Sequence, residues 1–466
     1  MTNANTGTSM IGGILRRAGL ASIAASLCLL PAPADAQQQR SIPVVRDTEI
    51  EALIRDYTRP ILEAAGLTRS GVEIVLVNNN SFNAFVAGRR MFIHTGAIAT
   101  ADTPNEIIGV IAHEAGHLAG GHQERLREQL SRAETMAVVA ALLGMGAGVA
   151  GAATGSGGLA QAGAGIAIGG GEMARRGLLS YQRSEETTAD RSAITYLERT
   201  GQSGRGMLRT FERFSSGLAL SGARIDPYQQ SHPVPRERII ALQELVRSSR
   251  HYERTDPLEL QLRHDMARAK IAAYTMGHGA VQRMFRDNIR SLPAAYGDAI
   301  QTYLYGNPAQ AVSKIDALIA QQPGNPYFHE LRGQALVRAN RPAEAVDSFS
   351  RAVQNVRGNS GLIRVGLGQA LVAIGTPDAL ARAVRELRAG LDAAPDFASG
   401  WESLAQAYGM QGEVAQAELA TAESHFHRGA IRDAKLFAAR AQQRLPNGSP
   451  GWIRAQDIIN FREPGR

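Results

Sequence analysis

The run Glu106-Ile-Ile-Gly-Val-Ile-Ala-His-Glu-Ala-Gly-His117 constrains this chain more than any other stretch. His113 and His117 are four residues apart. On an α-helix that spacing puts both imidazoles on one face, aimed at a common point. Glu114 lies one position round, within reach of a water held there. Ile107, Ile108, Val110, Ile111 and Ala112 predict that the helix is buried. Buried imidazoles and carboxylates cost free energy unless they have partners. A metal ion supplies one, and H-E-x-x-H with a general-base glutamate is the pattern of a zinc peptidase. Thr103-Pro104-Asn105-Glu106 gives the start signal, with Thr103 as N-cap, Pro104 in the first turn and Glu106 closing a capping box.

A catalytic zinc takes three protein ligands and keeps one position open for water. The third ligand must come from another element. Residues 180–197 read as a helix carrying Glu185, Glu186 and Asp190. Both glutamates are candidates. Glu186 and Asp190, four apart, can face one site, with Glu186 as ligand and Asp190 as hydrogen-bond partner of a ligand imidazole. His122, five residues beyond His117 and off its face, reads as a polar surface residue. Ser231-His232-Pro233-Val234-Pro235 reads as an extended loop, because residues before proline avoid the helical region. At the cleft, His232 would stabilise the oxyanion of a tetrahedral intermediate or ligate the metal as a fourth group. Elsewhere it would simply pack on the domain. Arg236 or Arg238 would hold the loop by pairing with acidic groups.

The N-terminus reads as a secretory signal over residues 1–36: Arg16-Arg17, a short apolar run over 18–30, and Ala34-Asp35-Ala36 as the cleavage site. The run is too short, and too soon followed by proline, to span a bilayer. The single cysteine, Cys28, falls inside it, so the mature chain is expected to form no disulfide. An exported, disulfide-free chain suits a bacterial periplasm. The net charge of +7 is carried almost wholly by arginine. Those arginines are scattered among acidic residues and form no long basic run, so they read as solvated helix faces rather than a nucleic-acid surface.

Residues 47–67 carry apolar residues at helical spacing, closed by Gly66. Residues 72–77, 84–86 and 91–93 read as short strands of a small sheet. An edge strand of such a sheet either holds a substrate backbone by strand addition or is a purely structural hairpin. Residues 136–171 are rich in glycine and alanine, with no charge between Glu134 and Glu172. Glycine this dense disfavours an isolated helix. The stretch reads as a flap over the site or as a membrane-touching hairpin of small residues, in preference to a transmembrane pair. From about residue 250 the texture is helical, with a period of about 34 residues that marks tetratricopeptide repeats. Ala311, Ile315, Leu318 and Pro323 give one second-helix pattern. Gly333, Ala345, Phe349 and Ala352 give the next, Ala383, Leu387, Gly390 and Pro395 another, and Ala434, Ala438, Ala441 and Pro446 the last. Trp401, Leu404, Ala405 and Tyr408 give a first-helix pattern. About four to five imperfect repeats are expected, capped by a helix over 258–274.

His113-Glu114-x-x-His117, then Arg183-x-x-Glu186-x-x-Ala189-Asp190, then His232-Pro233 followed by Arg238, resembles the zinc peptidases that include HtpX and the CAAX prenyl endopeptidases. The likeness covers roughly residues 45–250, and the C-terminal repeats match its periplasmic BepA-like branch. The resemblance implies His113, His117 and Glu186 as zinc ligands, Glu114 as base, and Asp190 and Arg183 as supporting residues. Glu186 is preferred to Glu185 because the family's ligand sits four before the aspartate. Thr188 departs from the pattern, since many relatives carry a second acidic residue there, but it touches no ligand position. The implied architecture is an α+β zincin-like (gluzincin-type) metallopeptidase domain over 37–250, followed by an all-α tetratricopeptide-repeat solenoid over 251–466. The implied function is a periplasmic zinc endopeptidase in quality control and assembly of outer-membrane proteins. It would bind one zinc per chain and act on misfolded or unassembled outer-membrane proteins. Its repeats would dock clients or the assembly machinery, with peripheral membrane contact and no nucleic acid. A chaperone or adaptor with latent peptidase activity is the alternative. A prenyl-protein endopeptidase is disfavoured by the lack of convincing spanning helices.

Overall fold

The computed structural model describes residues 43–154, 157–221 and 227–462. The expected signal segment and its cleavage site lie outside the described residues. The first helix, α1 (Thr48–Ala64), is capped by Asp47, whose side chain accepts from the Ile50 amide, and it buries Ile50, Leu53, Ile54, Tyr57 and Ile61. Strands β1 (Glu73–Val77), β2 (Ala84–Ala87) and β3 (Arg90–His94) form one sheet in the order β1-β3-β2. β3 runs parallel to β1 and antiparallel to β2, with Val75 opposite Phe92 and Val86 opposite Met91. Met91 and Ile93 face the main core, while Phe92 stacks on Phe85 on the other face. β2 is therefore an edge strand.

Two helices, α2 (Thr95–Thr100) and α3 (Pro104–Gly120), follow, and α3 is buried from Pro104 to His117. Its start differs from the expected capping box. Thr103 is the N-cap but makes no side-chain hydrogen bond, and Glu106 turns away to accept from Arg209 (3.1 Å) and Arg213 (2.7 Å). A fully buried carboxylate gains more from two guanidinium donors than from one backbone amide. Those arginines lie on α6 (Arg205–Ser221), which packs on α3.

Two long helices, α4 (His122–Thr154) and α5 (Gly157–Arg199), pack against each other and form an arm that roots beside α3. The glycine-rich stretch is helical here because neither helix is isolated: each packs on the other, and small residues let two backbones approach. Met136, Val138, Val139, Leu142, Leu143 and Met145 on the arm are exposed. Among the described residues no helix is long and apolar enough to cross a membrane. A short helix α7 (Pro227–Ser231) and α8 (Arg236–Arg247) complete the domain.

α9 (Leu258–Thr275) is shared between two cores. Ala267 and Ile271 join the core of α1 and α3; Met266, Ala272 and Ala273 join that of the helices that follow. After the single-turn α10 (Ala280–Met284) come α11 (Leu292–Tyr305) and α12 (Pro308–Gln321), α13 (Pro326–Arg338) and α14 (Pro342–Asn355), α15 (Gly361–Ile374) and α16 (Pro377–Ala393). Then α17 (Ala398–Met410), α18 (Val414–His427), α19 (Ile431–Arg444) and α20 (Pro450–Asn460) end the solenoid. Ser, Asn or Thr caps followed by proline start α11, α12, α13, α16 and α20. The small and bulky positions expected of second helices are buried on α12, α14, α16 and α19. Gly333 lies instead on the first helix of its pair, where a Cβ would meet the Phe349 ring at 2.6 Å.

The solenoid is pinned to the first domain by polar contacts. Lys270 pairs with Asp47 (2.7 Å) and Glu49 (3.2 Å), and the Tyr296 hydroxyl donates to Glu49 (2.9 Å). Arg46 reaches Asp396. His264 of α9 is fully buried: its Nε2–H donates to the Ala101 carbonyl (2.9 Å) and its Nδ1 accepts from Tyr57 Oη (3.1 Å). Burial pushes its pKa down to about 4, and the bond to Ala101 opposes this only in part. The unfolded chain therefore binds one more proton than the folded one between pH 6.5 and 4, and stability falls as pH falls through that window. The full difference is about 3 kcal/mol at 1.36 kcal/mol per pKa unit. Chemical denaturation from pH 7 to 4 is expected to show this loss in wild type, and a smaller pH slope over the same window in His264→Gln.

Candidate metal centre

Four buried groups converge where α3, α5 and the segment after α7 meet. His113, His117, Glu186 and His232 each offer a ligand atom, and these atoms lie within 4.8 Å of one another. His113 Nε2 and His117 Nε2 are 3.1 Å apart. Glu186 reaches the first at 3.3 Å and the second at 3.5 Å. His232 follows the last turn of α7, its amide donating to the Tyr228 carbonyl (2.7 Å), and its Nδ1 stands 3.0 Å from Glu186 Oε1. Its Nε2 is 3.4 Å from Glu114 Oε1.

The approach of α3 to α5 creates the cluster. A Cβ on Gly116 would meet the Ala189 carbonyl oxygen at 3.0 Å and the Ala189 Cα at 3.1 Å. Glycine and alanine at this crossing let the two backbones close in, so His113 and His117 face Glu186 and Asp190 directly. Asp190 Oδ1 lies 3.0 Å from His113 Nδ1. Arg238 spans the acids, donating from Nε and Nη2 to Asp190 (2.8 Å each), and its Nη1 pairs with Glu186 (2.9 Å) and donates to the Pro233 carbonyl (2.5 Å). Of the two loop arginines considered from sequence, Arg238 holds the loop.

Charge in the cluster is unbalanced in a telling way. Burial disfavours a charged His113, yet the Asp190 and Glu186 carboxylates outweigh it and raise its pKa to about 10. Burial and the charge on His113 push His117 down to about 2. Burial also works against charge on Glu186, but His113 and His232 hold its carboxyl well below the usual range. The two carboxylates, set against the imidazoles, attract positive charge to this place. Glu114 gives the sharper indication. It is fully buried, neither oxygen has a hydrogen-bond partner, and burial raises its pKa. An orphaned carboxylate costs about 1–3 kcal/mol or more, and a water at the cluster would satisfy it. Imidazole nitrogens with a carboxylate oxygen are a donor set for a divalent transition metal.

Two expectations change. His122 is not a surface residue: it is buried, and its Nδ1 lies 2.8 Å from His117 Nδ1. Five residues fall off the face of His117 only along one continuous helix. Gly121, left-handed at φ +61°, ends α3, and His122 starts α4 in a new direction. That glycine was the available signal. Arg183 does not support the site. It is exposed one turn towards the arm, where α5 has left the domain body, and Arg238 fills that role. Glu185 faces His122 and Arg125 instead of the cluster.

β2 also reaches this region. A cavity of about 160 Å³ is lined by Val86, Gly88, His117 and Gln123, among others. The Gln123 carboxamide sits on the strand edge, donating to the Val86 carbonyl (2.5 Å) and accepting from the Gly88 amide (2.7 Å).

Comparison with known proteins agrees with this geometry. Residues 45–246 match peptidase family M48, and residues 306–360 match a tetratricopeptide repeat. The chain thus carries an M48-type metallopeptidase domain with tetratricopeptide repeats behind it. It is 26% identical over 428 residues to the "Beta-barrel assembly-enhancing protease" of Yersinia pestis, covering 89% of this chain and 83% of that protein. The protein of the same name from Escherichia coli K12 is 24% identical over 429 residues, with the same coverage. A solved structure titled "Crystal structure of MamA" aligns with 38% of this chain and 98% of its own at 13% identity and a TM-score of 0.29, too low for a fold argument.

Arg238 holds both Asp190 and Glu186, and all three are buried. Removing one member of such a network leaves charge unpaired and costs about 3–5 kcal/mol. Arg238→Gln is expected to lose about that much in urea unfolding and to bind divalent metal more weakly.

Proposed function

We propose that this protein is a zinc endopeptidase of gluzincin type, with His113, His117 and Glu186 as ligands and Glu114 as general base. The observation that carries the reading is the buried Glu114 carboxylate, without a hydrogen bond, beside a His/His/Glu cluster. A zinc ion held by His113, His117 and Glu186 would supply an acidified water and polarise the carbonyl to be attacked. Glu114 would take the water's proton and pass it to the leaving amine. Asp190 holds His113 by Nδ1 with Nε2 turned to the cluster, and Arg238 pairs with both acids.

His232 supports two roles. Its Nε2 faces Glu114, where it can donate to an oxygen that gains charge during attack. Its Nδ1 belongs to the four-donor cluster, and as a fourth ligand it would take the position that a water needs. The second role favours a latent peptidase whose repeats act as an adaptor until a client draws the His232 segment away.

Substrate is expected to lie extended along β2, adding to its outer edge near His117. Gln123 occupies two of the backbone groups that such a strand would use, so an incoming peptide displaces it. The names of the relatives point to a role in β-barrel assembly, and so to quality control of outer-membrane proteins in a bacterial periplasm. The repeats would dock those clients or the machinery that assembles them. The exposed apolar residues of the arm support a surface for lipid or for unfolded client.

Metal content and casein cleavage, measured on wild type and Glu114→Gln, test the centre. One zinc in each with cleavage only in wild type is expected; no metal in either overturns the reading. His232→Ala raises cleavage if His232 blocks the centre and lowers it if His232 serves the attack. For the edge strand, Gln123→Ala is expected to lower KM about threefold to tenfold with little change in kcat, the signature of altered uniform binding. An unchanged KM would remove β2 from the cleft.

A further inference from the structure

The geometry points to His122 as a positioning residue for the metal, fixing the tautomer and orientation of His117, with Glu185 fixing His122 in turn. The inference rests on the reading of His117 as a ligand. His117 Nε2 faces the cluster, so its lone pair must be free and its proton must sit on Nδ1. His122 Nδ1 stands 2.8 Å from that nitrogen and is placed to accept the proton. A neutral imidazole that accepts at Nδ1 carries its own proton on Nε2. Glu185 Oε2 lies 2.8 Å from His122 Nε2, off the axis of the N–H bond, and its charge favours the proton at that nitrogen. Arg125 Nη2 holds the same oxygen at 2.8 Å, and Arg125 Nε donates to Tyr181 Oη at 3.2 Å. The chain has one direction. Reversed, it would put a proton on His117 Nε2, where the metal belongs.

The place for His122 is built into the turn. A Cβ on Gly120 would lie 2.2 Å from His122 Nε2 and 2.4 Å from its Cδ2, so the ring needs glycine at that position. The two ligand histidines are thereby backed differently. His113 meets a carboxylate directly, whereas His117 meets an imidazole that stands between it and the carboxylate. His122 and Arg125 come from the root of α4, and Tyr181 and Glu185 from the root of α5, so both arm helices brace one ligand.

The test uses the full chain and zinc alone. Zinc affinity is measured by competition with a chromophoric chelator, and the absorption spectrum is recorded with cobalt(II) in place of zinc. The apo-protein melting temperature is followed alongside. His122→Ala and Gly120→Ala are expected to bind zinc about 10- to 100-fold more weakly than wild type, with a shifted cobalt spectrum. Gly120→Ala removes no polar atom and acts only by moving the ring. His122→Gln, whose amide oxygen can accept from His117 Nδ1, is expected to recover most of the affinity; equal loss in His122→Gln and His122→Ala would reduce His122 to a packing residue. Wild-type affinity and an unchanged spectrum in His122→Ala would overturn the proposal while His117→Ala still abolishes binding. Tight zinc binding by His117→Ala would instead overturn the ligand reading itself.

Discussion

The close crossing of α3 and α5 at Gly116 and Ala189 is the constraint on which the site depends. Two helices with ordinary side chains at their contact keep their axes 8–10 Å apart or more. Here glycine faces an alanine backbone, and the side chains flanking the contact meet head-on: two imidazoles from one helix, two carboxylates from the other. None of these groups would be stable alone in a buried position. Together they leave a centre that attracts positive charge, and Arg238 supplies part of it from a third helix. The small residues inside the H-E-x-x-H motif are thus part of the metal geometry.

Much of this was legible because it is periodic. Four-residue spacing put His113 with His117 on one helix face and Glu186 with Asp190 on another, the family resemblance chose Glu186 over Glu185, and the structure brings all four together. The repeats were legible for the same reason: a stacked helix pair needs small residues where helices cross and bulky ones between, and Ala311, Phe349 and Leu387 occupy such places. What periodicity cannot describe is a change of direction. His122 was misread because the count ran straight through Gly121, where the chain enters the left-handed region and restarts. Glu106 was misread for a related reason. Local capping rules see only the first turn, and its true partners, Arg209 and Arg213, arrive from about a hundred residues away.

The junction between peptidase and repeats is polar where an apolar seam would be more stabilising. Lys270 is buried with Asp47, Glu49 and Glu330 around it, and burial raises the pKa of Glu330 to about 7. Buried ion clusters rarely add net stability, because desolvation offsets attraction. They do penalise misplacement, since any shift of the solenoid would strand a charge. Asp47 also caps α1, so the first helix of the peptidase and the first helix behind it are set by one side chain. Such a joint favours one orientation of the repeats relative to the cleft over many loosely packed ones.

The same logic bears on why a peptidase would carry its arm on the helices that build its centre. α5 is continuous from the exposed arm to Glu186 and Asp190, and α4 begins at the residue that backs His117. A helix transmits a shift along its axis more faithfully than a loop does, because its hydrogen bonds resist local deformation. The contacts at the roots of the arm, Arg125 with Glu185 and His122 with His117, join both of its helices to the cluster. The arm and the candidate centre are therefore joined through a handful of named atoms, and His122 stands at the junction of the two.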